Sequence, residues 1–207
     1  MASAPSSKAL PQAPAEAPHS AVLLADAEIR RALLRMAHEV IERNGDLSRL
    51  YLVGIPNGGV PLARQMARNL REVAGLDALV GMLDTSLYRD DALLKEQRPP
   101  LRPTEMPSAV DNRVVILVDD VVNTGRTIRA AMDALLDLGR PRAVQVAALV
   151  DRGHRELPIR IDYVGKNIPT QSGDLVKLFL SGEGAEAGAP EAAMKVLLLR
   201  GAAGEGA

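Results

Sequence analysis

The stretch that decides the fold reads Val115-Ile-Leu-Val-Asp-Asp-Val-Val-Asn-Thr-Gly-Arg-Thr127. Its four opening apolar residues predict a buried strand, after which Asp119 to Gly125 are expected to form a turn and Thr127 to Leu138 a helix. The carboxylates of Asp119 and Asp120 would then stand at the open end of the strand and face a ligand crevice. Backbone N–H groups of the turn would converge there with the positive end of the helix, an arrangement that suits a phosphate dianion.

Outside this stretch, the chain alternates between apolar runs and segments with helical periodicity. Continuous apolar runs are typical of strands that are buried on both faces. Their alternation with helices predicts an α/β fold, in which a mostly parallel twisted sheet is flanked by helices and ligands bind beyond the carboxyl ends of the strands. Asp26 is expected to cap the first helix. The predicted helices cover 25–43, 61–73 and 127–138, the predicted strands cover 50–55, 79–83, 114–118 and 144–150, and the runs 175–180 and 194–199 predict a C-terminal hairpin.

Two segments lack this periodicity. Residues 84–108 are polar and contain prolines, and a connection of this length is uncommon inside a domain unless it serves as a lid or arm. We therefore expect a mobile arm at about 85–108. Residues 1–20 are rich in Ala, Pro and Ser and lack the apolar segment of a signal peptide, so we expect a disordered leader, followed by a single domain over 21–207.

The composition excludes several classes of site. The 207 residues include no cysteine, which removes disulfides, thiolate metal sites and thiol nucleophiles and leaves a reducing cytoplasm as the simplest setting. Only 2% of the residues are aromatic and none is Trp, so an RNA contact would depend on Arg, His and Lys rather than on base stacking. The formal net charge is −1, and no apolar run approaches the ~20 residues of a membrane helix.

The acidic pair and the turn after it suit a phosphorylated sugar. Adjacent carboxylates above a phosphate-binding turn can hold the vicinal hydroxyls of a ribose, directly or through a divalent ion with oxygen ligands. Thr124 and Thr127 add hydroxyl donors, and Gly125 lets the backbone approach a ligand closely. An Asp-Asp pair alone is more often a simple turn or helix cap, but the thirteen-residue run is far more specific. An ATPase loop is disfavoured, because no Gly-Lys-Ser/Thr follows at the required spacing.

The run resembles the signature by which type I phosphoribosyltransferases bind phosphoribosyl pyrophosphate (PRPP). Over roughly residues 22–180 the chain is further similar to the PyrR family, bifunctional RNA-binding regulators of pyrimidine operons that retain uracil phosphoribosyltransferase activity. The resemblance implies the type I phosphoribosyltransferase fold and conversion of uracil and PRPP to UMP and pyrophosphate with Mg²⁺. It also implies leader-mRNA binding controlled by UMP or UTP, and a homodimer or higher homo-oligomer. The segments that carry the likeness are Ala27-Glu-Ile-Arg-Arg-Ala-Leu-Leu-Arg-Met-Ala-His-Glu39, Leu87-Tyr-Arg-Asp-Asp91, Gly139-Arg-Pro141, Leu149-Val-Asp-Arg-Gly-His-Arg-Glu-Leu-Pro-Ile-Arg160 and Gly165-Lys-Asn-Ile-Pro-Thr170.

The resemblance also implies roles for individual residues. Asp119 and Asp120 would hold the ribose and, indirectly through PRPP, the metal, while Arg89 in the arm would close over the pyrophosphate. The remaining PRPP contacts would come from Val121, Val122, Asn123, Thr124, Gly125, Arg126 and Thr127 around the 5′-phosphate and from Asn57, Gly58 and Gly59 in the pyrophosphate loop. Uracil would lie beside Asp151, Arg152 and Gly153, largely against their backbone groups. RNA would contact Arg31, Arg35, His38, Arg43, His154, Arg155, Arg160 and Lys166, although an arginine-rich helix face is usually only a solvated surface.

Three departures from the family's pattern leave alternatives open. The pyrophosphate loop reads Pro56-Asn57-Gly58-Gly59 where the family usually has Lys-Thr-Arg-Gly, so both cationic side chains are missing. Asn123 replaces a Tyr, and Leu34 replaces a polar residue on the RNA-binding helix face. The first change favours a nucleotide-sensing regulator with little catalysis as one alternative, for which restoring an Arg at position 58 would be expected to raise activity. A phosphoribosyltransferase for another base is the second alternative.

Overall fold

The computed structural model describes residues 20–90, 103–171, 173–181 and 193–200. A short 3-10 helix, Leu47–Arg49, precedes the second strand. Within the described ranges the helices are α1 (Asp26–Arg43), α2 (Gly59–Ala74) and α3 (Arg126–Asp137), and the strands are β1 (Ser20–Leu24), β2 (Leu50–Gly54), β3 (Leu79–Met82), β4 (Val114–Val122), β5 (Ala143–Asp151), β6 (Tyr163–Asn167), β7 (Leu175–Ser181) and β8 (Ala193–Leu199).

Five of the strands form the predicted parallel sheet, in the order β3-β2-β4-β5-β6. The side chains of β4 alternate between the two faces, as a strand requires. Ile116 and Val118 pack in the core beneath α1 and α2, while Val115 and Leu117 pack in the second core beneath α3. Because both faces are covered, the strands read as continuous apolar runs, and the α/β prediction is confirmed.

A second, three-stranded antiparallel sheet has the order β1-β8-β7. The pairing of β7 with β8 confirms the predicted C-terminal hairpin. The predicted leader is one residue too long, because β1 begins at Ser20; residues 1–19 lie outside the described part of the chain. Asp26 is the first residue of α1 and not its cap, and its Oδ1 accepts a hydrogen bond from Met194 N at 2.9 Å. This bond ties the start of α1 to the small sheet.

Two further differences from the predicted elements concern the main sheet. β4 continues four residues beyond the predicted strand and ends at Val122, because β5 offers a pairing partner as far as Asp151. The strand β6 was not predicted at all, since its sequence has no continuous apolar run. No helix in the described part of the chain is long and apolar enough to span a membrane.

The described ends of the predicted arm are held against the main sheet and α3. Residues 91–102 of the arm lie outside the described part of the chain. Where the chain is described again, Glu105 and Met82 exchange two backbone hydrogen bonds of 2.8 Å in an antiparallel bridge at the edge of β3. On the other side of the gap, Tyr88 donates a hydrogen bond to Asp137 in α3.

Candidate active site

A cavity of about 350 Å³ lies at the carboxyl end of β4, where the chain leaves the sheet and enters α3. This is the position at which parallel α/β sheets bind ligands. All seven residues predicted to bind the 5′-phosphate of PRPP contribute to its wall, together with Arg89 from the arm. The residues that line it are Arg89, Asp119, Val121, Val122, Asn123, Thr124, Gly125, Arg126, Thr127, Ile128 and Glu156.

The turn between β4 and α3 lines the cavity, and its carbonyl groups accept hydrogen bonds from other parts of the chain. Arg155 Nη1 donates to Asn123 O at 2.6 Å, and Glu156 N donates to Thr124 O at 3.0 Å. Gly125 has a φ of 92° and its carbonyl accepts from Arg129 N, in the first turn of α3. Within the described part of the chain, the N–H groups of Asn123, Thr124 and Gly125 donate to no protein acceptor. Three free donors at the start of a helix form a site for an anion.

The two aspartates start on opposite faces of the sheet, but their carboxyl groups come within hydrogen-bonding distance of each other. Since β4 continues through both, their side chains point to opposite faces of the sheet, and only Asp119 lines the cavity. Both aspartates therefore lie in β4 and not in the predicted turn, while the expectation that both serve one ligand stays a prediction. Asp120 Oδ1 accepts a hydrogen bond from Val121 N at 3.0 Å, and the carboxyl of Asp120 lies beside the pyrophosphate loop.

Burial controls the protonation of this pair. Burial, followed by the charge of Asp120, raises the pKa of Asp119 well above its ordinary value, and the charge of Arg89 acts in the opposite direction. Burial also raises the pKa of Asp120, although hydrogen bonds from Asp119 and from backbone N–H groups, including that of Val121, lower it. We infer that Asp119 keeps a proton more readily than Asp120. A bound cation in the cavity would favour the charged form of Asp119.

The predicted pyrophosphate loop folds tightly against β4. Ile55 N donates to Val118 O at 2.9 Å, and a Cβ atom added at Gly59 would lie 2.0 Å from the same oxygen. A Cβ atom added at Gly58 would lie 2.3 Å from Oδ2 and 2.6 Å from Cβ of Asp120. An arginine at position 58 would therefore require the Asp120 side chain or the loop to move, and the expectation that such a change raises activity stays a prediction. Asn57 is exposed, and none of the three loop residues lines the cavity directly.

The segment predicted to lie beside the base uses its side chains internally. Arg152 is only 7% exposed, and its Nε donates to Thr170 Oγ1 at 2.8 Å while its Nη2 donates to Asp174 O at 2.8 Å. Asp151 accepts hydrogen bonds from Gly153 N and from Arg155 Nη2. These bonds occupy the side chains of Asp151 and Arg152, and recognition of the base by backbone groups stays a prediction.

The predicted RNA-binding residues fall into more than one group. Arg35 donates through Nη2 to Val164 O and Gly165 O, which brings α1 beside β6 and its exposed Lys166. In contrast, the guanidinium of Arg155 is largely buried behind the phosphate-binding turn, away from that surface. The remaining residues are exposed: Arg31 and His38 on α1, Arg43 in an ion pair with Asp162, His154 with its Nε2 2.6 Å from Thr170 O, and Arg160.

Sequence reasoning missed two residues of the cavity wall, Ile128 and Glu156. Ile128 lies one residue beyond the signature run, so the helical continuation of that run could have suggested it. Glu156 belongs to a distant loop, and its side chain accepts a hydrogen bond from Arg126 Nε at 2.7 Å. Its only signal in the sequence was its position inside the 149–160 segment that carries the resemblance.

Comparisons with known proteins agree with this geometry. The phosphoribosyl transferase domain family matches residues 21–179. The bifunctional protein PyrR of Deinococcus deserti is 56% identical over 164 residues, which cover 79% of this chain and 89% of that protein. The bifunctional protein PyrR of Chloroflexus aurantiacus is 49% identical over 184 residues, which cover 89% of this chain and 97% of that protein.

Solved structures support the same fold at lower identity. A hypoxanthine phosphoribosyltransferase of Trypanosoma cruzi superposes with a TM-score of 0.64 at 19% identity, covering 90% of this chain and 95% of that one. A hypoxanthine-guanine phosphoribosyltransferase of Bacillus anthracis superposes with a TM-score of 0.59 at 17% identity, covering 72% of this chain and 84% of that one. These likenesses concern the fold, while the close relatives identify the group. The chain belongs to the PyrR family of bifunctional proteins, within the phosphoribosyltransferases.

Proposed function

We propose that this protein converts uracil and PRPP to UMP and pyrophosphate, and that it also binds pyrimidine-operon leader mRNA in response to UMP or UTP. One observation carries the enzymatic half. The cavity at the end of β4 combines free backbone N–H donors, a buried carboxyl group and the cationic Arg89 within one wall. These are the groups that a sugar bearing a 5′-phosphate and a pyrophosphate requires.

The chemistry separates charge, and the cavity offers a group for each charge. As the bond between C1 of the ribose and the pyrophosphate oxygen breaks, the ribose becomes cation-like and the leaving group strongly anionic. The ionised Asp119 carboxylate would bind the ribose hydroxyls, and the guanidinium of Arg89 would bind the departing pyrophosphate. Uracil N1 then bonds to C1, and the N1 proton passes to the released pyrophosphate or to solvent. Fixed charges and donors of this kind lower the barrier most when water is excluded.

Magnesium fits this site only together with its substrate. No cluster of three or more potential ligands occurs among the described residues. Mg²⁺ prefers several oxygen ligands and usually binds through one or two carboxylates plus substrate phosphates. Asp119 is the residue that would hold it in the cavity, and the ion would supply charge neutralisation to the pyrophosphate.

The test of the enzymatic half is an assay for UMP with uracil, PRPP and Mg²⁺. The matched control is the double variant Asp119→Asn/Asp120→Asn, which keeps the side-chain volumes and removes both charges. We expect a rate well above that control. Equal rates would contradict the enzymatic proposal, and competition with orotate and hypoxanthine would identify the preferred base.

The regulatory half rests on the family and on the surface that α1 and β6 share. The relatives are named as bifunctional proteins, which supports two activities in one chain. Arg35 on α1 contacts Gly165, the residue before Lys166 on β6, and Arg31 and His38 are exposed on the same helix, so RNA phosphates could contact residues from both halves of the chain. A gel shift with the organism's own pyrimidine-operon leader, with and without UMP, tests this. No nucleotide-dependent shift would contradict it.

A nucleotide-sensing regulator with little catalysis is the second candidate, and the pyrophosphate loop favours it. The loop has no cationic side chain, and Asp120 fills the space beside Gly58. Calorimetry that shows UMP binding in a protein without turnover would select this candidate. We further propose that the protein acts in the cytoplasm as a homodimer or higher homo-oligomer, which light scattering of the full chain would test.

A further inference from the structure

The residues that precede the gap at 91–102 lie along one edge of α3. Arg126 Nη1 donates to Asp90 Oδ2 at 2.6 Å, and Arg129 Nη2 donates to Tyr88 O at 2.6 Å. Near the other end of α3, Asp137 accepts a hydrogen bond from the hydroxyl of Tyr88. Arg126, Arg129 and Asp137 share this face of the helix because of their spacing. We refer to residues 88–90 as the stem.

Arg126 also connects the stem to a third part of the chain. Its Nε donates to Glu156 Oε2 at 2.7 Å, so one guanidinium bridges the stem, the start of α3 and the loop after β5. Each of these ion pairs is partly exposed and would contribute little alone. Together with the Tyr88 contacts, they fix both neighbours of a single residue, Arg89.

Arg89 is the stem residue that reaches the cavity. Its side chain lines the cavity wall, and its charge is close enough to Asp119 to act against the rise of that carboxyl's pKa. Leu87, which precedes the stem, is 77% exposed and gives the segment little apolar anchorage. The polar contacts of its neighbours with α3 therefore contribute to the position of Arg89.

We propose that the polar edge of α3 positions Arg89 for catalysis, with Tyr88, Asp90 and Asp137 acting as positioning residues rather than catalytic ones. This inference rests on the proposed phosphoribosyl transfer, for which Arg89 would bind the pyrophosphate of PRPP. In this role, the exposed ion pairs at the start of α3 stabilise the stem. These pairs help to hold the Arg89 guanidinium in the same cavity wall as Asp119.

The kinetic test uses the double variant Tyr88→Phe/Asp90→Asn in the full chain. It keeps the tyrosine ring and the side-chain volume of Asp90 but removes one hydroxyl and one charge. We expect kcat/KM for PRPP to fall by about three- to tenfold, because exposed pairs of this kind contribute up to about fivefold each. KM for uracil should change little. Asp77→Asn is the matched control, since Asp77 pairs with Arg71 at a distant exposed site.

An Arg89→Ala background separates positioning from a general effect on structure. If the stem acts through Arg89, the double variant should cause no further loss once Arg89 is absent. The same loss in both backgrounds would overturn the proposal.

A second measurement requires no catalysis. The chain contains no cysteine, so Leu87→Cys can carry a single nitroxide spin label. We expect the label to become more mobile in the Tyr88→Phe/Asp90→Asn protein, and identical spectra would overturn the proposal. If the unsubstituted chain forms no UMP, the proposed function fails, while the label spectra still decide whether α3 holds the stem.

Discussion

Gly58→Ala is the substitution that most directly tests the packing of the pyrophosphate loop. The added Cβ would lie 2.3 Å from Asp120 Oδ2, 2.4 Å from Cγ and 2.6 Å from Cβ. Rotation of the Asp120 carboxyl can relieve the first two contacts but not the third, so loop or strand must move. Overpacking of this kind costs about 1–3 kcal/mol of unfolding free energy.

The expected consequence is a lower melting temperature. In a chain of this size, 1 kcal/mol corresponds to about 2–4 °C, so we expect a decrease of roughly 2–12 °C by far-ultraviolet circular dichroism. Gly45→Ala is the matched control, because nothing lies within 4 Å of a Cβ atom at Gly45. A Gly58→Ala protein that melts within a degree of this control would refute the reasoning.

The partner of the clash can be identified by a double-mutant cycle. In an Asp120→Gly background the obstructing side chain is gone, so Gly58→Ala should lose most of its cost. We expect a coupling free energy of about 1 kcal/mol or more between the two positions. Additive effects would show that the loop is strained by some other contact.

Three further predictions concern the acidic pair, the end of α1 and the phosphate-binding turn. The raised pKa of Asp119 means that the folded protein binds a proton more tightly than the unfolded chain, so the free energy of unfolding should fall as pH rises from about 4 through that pKa. Asp119→Asn should flatten this pH dependence and stabilise the protein at pH 7. Denaturant titrations at several pH values would test this, and a variant whose unfolding free energy changes with pH as it does in the unsubstituted protein would contradict it. Asn44→Ala should destabilise the fold by about 1–3 kcal/mol, because the Tyr163 hydroxyl and the Gln145 amide lose a buried partner; a melting temperature equal to that of the unsubstituted protein would contradict this. Arg155→Ala should raise KM for PRPP about tenfold or more, because it removes the hydrogen bond to Asn123 O. Arg31→Ala is the control and should leave KM for PRPP unchanged. Equal KM values for the two variants would contradict the prediction.

Much of the main sheet could be predicted because its signals are local. Each predicted strand of that sheet was an apolar run, and the predicted helices end within two residues of those observed. β6 was missed because its sequence carries polar residues, and β1 because it is only five residues long; both form where a neighbouring strand offers a ladder, as β8 does for Ser20 to Leu24. In the candidate site, too, residues that are contiguous in the sequence could be predicted and a residue from a distant loop could not. Its contiguous residues from Val121 to Thr127 were predicted, whereas Glu156 came from another loop.

The sequence by itself determined the unit of strand, glycine turn and helix, because apolar β-branched residues, Gly125 and the helix start act on their immediate neighbours. Tertiary structure alone decided where the functional side chains point. Pairing of Val121 with Val150 and of Val122 with Asp151 continues β4, which sends Asp119 to the cavity and Asp120 to the other face. Such pairings join residues far apart in the chain, and the face that a side chain takes depends on where the ladder ends.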